Sequence, residues 1–332
     1  MLPAVAIAIV LLSCLAAQAE PVTLKLSFFT SDRTVAYAAA IEPFVDVVNK
    51  EGKGVVKIEV YPSGTLGKVQ RELPELVLSG GADIAFIIPG QNPERFVDNG
   101  VIELPGLFRD VREATLTYTS LVASNALAGY QGFFVIGAFA TPPETINSRK
   151  PIRSLADLKG QRIRVNNPTQ AVALAKLGAL PVVMAFNETT PAIMRGDLDG
   201  ATVPPAQLFD VGIGRMTRYH YLLGTSAAPL TLMMNRKVLD GLPARAQEII
   251  RKYSGAWAAD RFIEVYERAT KKALGELRRD NRRTVVDPSA VDEATAAAVF
   301  RTVTDDYAAK SPHNAALVKA ARAMAAGLRT TR

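Results

Sequence analysis

The chain has 332 residues, 48% of them hydrophobic and 21% charged, with 23 Gly and 20 Pro, a profile that suits a globular protein with room for two lobes and excludes a disordered chain. The formal net charge of +7 is scattered and interleaved with acids, which argues against a nucleic-acid partner and favours encounter with anionic solutes. Cys14 is the only cysteine, which excludes a disulfide scaffold and any cysteine-based metal or redox site.

Met1 to Leu15 carry no charge and are almost wholly apolar, and Ala17-Gln18-Ala19 supplies the small-x-small pattern of a signal-peptide cleavage site. Export to the periplasm with cleavage near Ala19 is therefore expected, residues 1–19 being the signal peptide. The alternative is lipidation at Cys14, since Leu11-Leu12-Ser13-Cys14 resembles a lipoprotein box.

Downstream, Leu24 to Phe28 reads as a strand and Val35 to Asn49 as a helix. Val56-Lys57-Ile58-Glu59-Val60 alternates as a half-buried strand should. Tyr61-Pro62-Ser63-Gly64 is turn chemistry, Val69 to Leu78 a helix ended by Gly80-Gly81, and Asp83 to Ile88 and Phe133 to Ile136 further strands. After Pro142-Pro143 the pattern repeats. Ser154 caps a short helix with Asp157 three residues on, Arg162 to Val165 is a strand, and Ala171 to Leu177 a helix ended by Gly178. Pro181 to Met184 and Ala201 to Val203 read as strands, and Leu230 to Met234 as a strand returning to the first sheet. From Pro243 the spacing of Ile249, Tyr253, Trp257, Ile263, Tyr266, Leu274 and Leu277 predicts one helix over about 243–280. A break near Ser254-Gly255 is the alternative, because glycine costs about 1 kcal/mol in a helix interior. Alternating strands and helices imply α/β architecture with largely parallel sheets.

Within this pattern the run from Lys150 to Val165, with Asp157-Leu158-Lys159-Gly160 and Arg162-Ile163-Arg164-Val165, resembles the signature of the DctP-like substrate-binding proteins of tripartite ATP-independent periplasmic (TRAP) transporters. Gly178 to Met184, Asn187-Glu188 and Gly196-Asp197-Leu198-Asp199-Gly200 match in order. So, upstream, do Tyr61 to Gly67 and Ser79 to Ile84. The similarity covers nearly the whole chain beyond residue 19. It implies a two-lobed periplasmic binding-protein clamshell, each lobe a mainly parallel sheet flanked by helices. Residues 20–141 plus 229–253 would form the first lobe and 142–228 plus 254–332 the second, with the long helix spanning both. It also implies that a small organic acid is captured and handed to a permease driven by an ion gradient.

In such proteins the second arginine of the signature pairs with the ligand carboxylate, and here that is Arg164. Guanidinium chemistry agrees: a planar fork grips both carboxylate oxygens and stays charged. Spacing alone leaves another reading, in which Arg162 and Arg164 are the solvated face of an edge strand. Positions that are polar in relatives binding larger polar acids fall here at Phe29, Ile88 and Val203, and a second arginine of some relatives aligns near Glu144. With Phe186 lying against the ligand, the cleft would have one cationic anchor and apolar walls. A second ligand carboxylate would then be buried unpaired at considerable cost. The expected ligand is a monocarboxylate with an apolar or aromatic body, although Phe29, Ile88 and Val203 could equally be core residues. Gln70, Asn166, Asn167 and Gln207 are available as polar partners. Asparagine after a strand is more often turn chemistry, and Asp197 and Asp199 more often make a loop.

Catalysis is not expected. His220 and His313 are the only histidines, neither in a metal-binding spacing, and Gly-x-Ser-x-Gly and phosphate-cradling loops are absent. No cofactor is expected, and the protein should act as a monomer. The alternatives are a ligand-sensing module docking on a membrane receptor, with the same fold and pocket, and an exported hydrolase with an unrecognised site.

Overall fold

A computed structural model describes residues 20–330; the segment read as a signal peptide, with Cys14 and Ala19, lies outside them. The strands in chain order are β1 (Val22–Ser27), β2 (Val56–Tyr61), β3 (Ile84–Ile87), β4 (Phe133–Ala140), β5 (Thr145–Ser148), β6 (Arg162–Val165), β7 (Leu180–Val183), β8 (Gly200–Val203), β9 (Tyr219–Tyr221), β10 (Pro229–Asn235) and β11 (Thr284–Val286). They form two sheets, ordered β2-β1-β3-β10-β4 and β11-β9-β5-β8-β6-β7.

Both sheets are mixed rather than mainly parallel. β10 runs antiparallel to β3 and β4 in the first, and β5 antiparallel to β8 and β9 in the second. The reason is connectivity: β5 and β10 are reached by short direct crossings between sheets, which leave no room for the helical return that parallel neighbours need. The two crossings pair with each other, Thr141 N–H donating to Ala228 O (3.0 Å), Glu144 N–H to Ser226 O (2.9 Å) and Thr225 N–H to Glu144 O (2.9 Å).

Each sheet carries its own apolar core. Leu24, Leu26, Ile84, Phe86 and Leu232 join Phe44 and Ile249 around the first, while Ile146, Ile163 and Val165 join Leu174 and Phe300 around the second. The helix expected over 243–280 is broken into Ala244–Lys252 and Ala256–Arg279. At the break Gly255 takes φ 63° and ψ −119°, a conformation open to glycine and strained for other residues. Its N–H leaves the helix to donate to Ile136 O in β4 (2.8 Å).

The second segment, about 36 Å long at 1.5 Å per residue, still reaches both lobes. Phe262 stacks on Phe139 of β4 with centroids 4.5 Å apart, and Leu277 packs with Ala201 and Val203 of β8. The C-terminal residues do not all join the second lobe as expected. Helix Ala290–Ala308 packs there through Ala296, Phe300 and Val303. Helix Pro312–Thr330 crosses back and buries Leu317, Val318, Ala321 and Ala325 against the first-lobe helix Val111–Ala123 and the turn Val97–Val101. The apolar stripe of that last helix fits a surface next to Tyr118 and Leu121 that would otherwise face water. No described helix is long and apolar enough to cross a membrane.

Candidate ligand-binding site

Strand β6 brings Arg164 to its C-terminal end beside Asn166 and Asn167, where the helix Pro168–Lys176 begins. Asn167 Oδ1 caps that helix by accepting from Gln170 N–H at 2.8 Å, which is the turn role its residue type favours. β6 is no edge strand: it lies between β8 and β7, and Arg164 is 1% exposed. Arg162, two residues earlier on the same strand face, is the surface residue, its side chain donating to Gly196 O at 2.6 Å and lying 3.6 Å from Asp199 Oδ1. Asp197 and Asp199 hold the loop between the helix Thr189–Arg195 and β8. They pair there with Arg195 (2.8 Å) and Lys150 (3.0 Å) respectively.

The Arg164 guanidinium is fixed by the protein. Nε donates to Met184 O (2.9 Å), one terminal nitrogen to Thr202 O (3.3 Å) and the other to Asn166 Oδ1 (3.0 Å). Of its five N–H groups, three are thus used, and each terminal nitrogen keeps one without an acceptor among the described residues. Burial lowers the pKa of Arg164 and the nearby Glu144 raises it; the group remains a cation at any working pH.

A narrow cavity opens in front of this fork, lined by residues of both lobes, the concave and mostly apolar setting in which small molecules bind. Of the residues proposed from sequence, Phe29, Ile88, Arg164, Asn166, Phe186, Val203 and Gln207 all line it. Gln70 does not. It is buried beneath a neighbouring groove with Gln91 and Met184, because the turn Gln70–Glu72 leads into the helix Leu73–Leu78 outside the cavity. The Arg164 guanidinium carbon lies 5.9 Å from the Phe186 ring centroid, within cation–π range. Phe29 and Phe86 stack on the opposite wall with centroids 6.1 Å apart and planes 30° apart.

Two carboxyls that the sequence did not single out as ligand groups also line the cavity. Glu144, in the first crossing between sheets, accepts from Gln170 Nε2 at 2.9 Å. Burial pushes its pKa up, against the opposing pull of the Arg164 charge and of bonds from Gln170 and Thr202. Asp210 accepts from Val35 N–H at 3.1 Å across the lobes, and burial pushes it up to about 7 with only that bond opposing. Thr30, Thr34 and Thr141 add polar rim. The arrangement can do one thing well: hold a small anion against a dry, pre-positioned fork.

The profile of the bacterial extracellular solute-binding proteins, family 7, matches residues 26–311. The chain belongs to this family. It is a transport solute-binding protein rather than an enzyme, as the signature around Arg164 implied. Among characterised relatives it is 26% identical, over 92% of its own length and 93% of the other's, to the C4-dicarboxylate-binding periplasmic protein of Rhodobacter capsulatus. A TRAP solute-binding protein from Rhodoferax ferrireducens, crystallised with copurified benzoate, superposes with a TM-score of 0.86 at 23% identity, over 93% of this chain and 99% of that one. A marine-metagenome TRAP protein in complex with 3-hydroxybenzoate gives the same TM-score of 0.86, identity of 23% and coverage of 93% and 99%. At that identity the two structures bear on the fold alone.

Proposed function

We propose that this protein captures a monocarboxylate with an aromatic or apolar body and delivers it to a TRAP permease. The ligand carboxylate takes the two free N–H groups of Arg164, and its body lies between Phe186 on one side and Phe29 and Phe86 on the other. One observation carries the reading: Arg164 is the only basic side chain among the described residues lining the cavity, and two carboxyls line it as well. A second ligand carboxylate would meet repulsion and no partner. The benzoate and 3-hydroxybenzoate of the two solved neighbours support an aromatic acid. The dicarboxylate named for the Rhodobacter relative is the ligand class this lining disfavours. Export by the N-terminal segment, cleavage near Ala19 and action as a monomer complete the proposal.

A thermal-shift screen of mono- and dicarboxylates, sugars and amines tests it. An acid at 100 times its dissociation constant stabilises the protein by about 2.7 kcal/mol, and aromatic monoacids should head the ranking. Hits confined to uncharged sugars would defeat the clamp, and hits confined to diacids would defeat the monoacid assignment.

A further inference from the structure

We infer that the ligand carries a hydroxyl remote from its carboxylate and that Asp210 reads it. The inference rests on the monocarboxylate reading and adds a second recognition point to it. Polar groups in the cavity are segregated. The unsatisfied donors gather around β6: the two free N–H groups of Arg164 and the side-chain N–H2 of Asn166, buried with no acceptor among the described residues. They suit an acid group. Asp210 lies elsewhere on the lining, in the segment after the turn Pro205–Gln207. Its Oδ2 takes the Val35 N–H, while Oδ1 has no donor among the described residues.

Arg164 and Asp210 belong to different segments of the lining, and among the described residues no ion pair or hydrogen bond joins Asp210 to a cation. The rest of the lining is mostly apolar, with Phe29, Phe86, Ile88 and Val203 beside the hydroxyls of Thr30, Thr34 and Thr141. A half-buried carboxylate oxygen on a mostly apolar lining asks for an O–H from whatever fills the cavity, since leaving it bare on ligand closure is costly. A bare hydrocarbon body would strand it. A second carboxylate or an ether oxygen would repel it.

The test is calorimetric titration at pH 8, where Asp210 is ionised. The ligands are matched sets of parent acid, ring-hydroxylated acid and ring-methoxylated acid in the benzoate and phenylacetate series. In the wild-type protein one hydroxy acid should bind about 10-fold or more tighter than its parent, the factor expected for a hydrogen bond to a charged acceptor, and the methoxy acid should bind no tighter than the parent. In Asp210→Asn the amide oxygen can still serve Val35 N–H while the amide N–H2 faces the ligand, so the hydroxyl preference should fall below about 3-fold. Hydroxy and parent acids of equal affinity in the wild-type protein, or a preference that survives Asp210→Asn, would overturn the role of Asp210 and leave the monocarboxylate reading intact. Failure of every acid in both series would overturn that reading, and this inference with it.

Discussion

Arg164 combines burial, three protein acceptors and two free N–H groups, so its contribution lies in being held ready before the ligand arrives. Replacing it with Ala should weaken acid binding by about 2–5 kcal/mol, the usual cost of deleting one side of a buried charge pair. Arg164→Lys should also lose most of the affinity, because an ammonium cannot reproduce the fork. Near-native affinity in either variant, measured by calorimetry, would refute the assignment. His220 is the other telling side chain. Its Nδ1 faces Asn147 Oδ1 at 2.7 Å and its Nε2 faces an Arg283 nitrogen at 3.1 Å, and burial, then Arg283 and Arg218, bring its pKa down to about 4. The unfolded chain, with a histidine pKa near 6.5, takes up the proton first as pH falls. Stability should therefore be lost between about pH 6.5 and pH 4, by on the order of 3 kcal/mol. Thermal melts should show a shallower acid decline for His220→Gln; parallel curves would exclude His220 as the cause. Arg164 was legible because its strand sits inside an ordered set of family blocks. Glu144 and Asp210 were not legible as cavity groups: nothing local marks an acid as buried, and only the meeting of the two lobes makes it so.

At the scale of elements, Gly255 joins two helices through a backbone conformation that costs a residue with a Cβ about 1–3 kcal/mol. A Cβ there would meet nothing within 4 Å, so the penalty for Gly255→Ala should be wholly conformational. Urea titration should give a loss of about 1–3 kcal/mol with an unchanged m value; a variant as stable as the parent would mean that the joint relaxes freely. The sequence offered both a continuous helix and this break, and periodicity alone could not choose, since Tyr253 and Trp257 keep the apolar spacing straight across it. Strand β6 was legible to the residue. β5, β9 and β11 were not, because Thr-Ile-Asn-Ser, Tyr-His-Tyr and Thr-Val-Val are too short to show a period. The threonine-to-serine and histidine segments are also polar, and they are ordered by pairing with their neighbours in the sheet.

For the molecule as a whole, the hydrogen bonds that connect opposite lobes include Val35 N–H to Asp210, and Gln91 Nε2 to Asn166 O at 3.1 Å. Gln91 lies outside the cavity lining and in the adjoining groove, so its bond belongs to closure and not to ligand contact. A ligand that needs the closed form gains whatever stabilises that form. Gln91→Ala should therefore raise the dissociation constant of a bound acid by about 2- to 10-fold, the worth of one ordinary hydrogen bond, without altering selectivity between acids. An unchanged constant would show that this bond does not bias closure. The two-lobed plan was readable from the repeated strand and helix pattern and from the family blocks. The return of the last helix to the first lobe was not, because which lobe an amphipathic stripe covers depends on a surface assembled about two hundred residues away in sequence.

That return has a practical side. Helices Ala290–Ala308 and Pro312–Thr330 meet at Ser311, the first seated mainly on the second lobe and reaching the first through Tyr307, the second seated on the first lobe, so the pair forms two arms that strap the jaws together. Two fluorophores, one on the outer face of each arm, would turn solute capture into an optical distance signal while leaving every group around the ligand untouched.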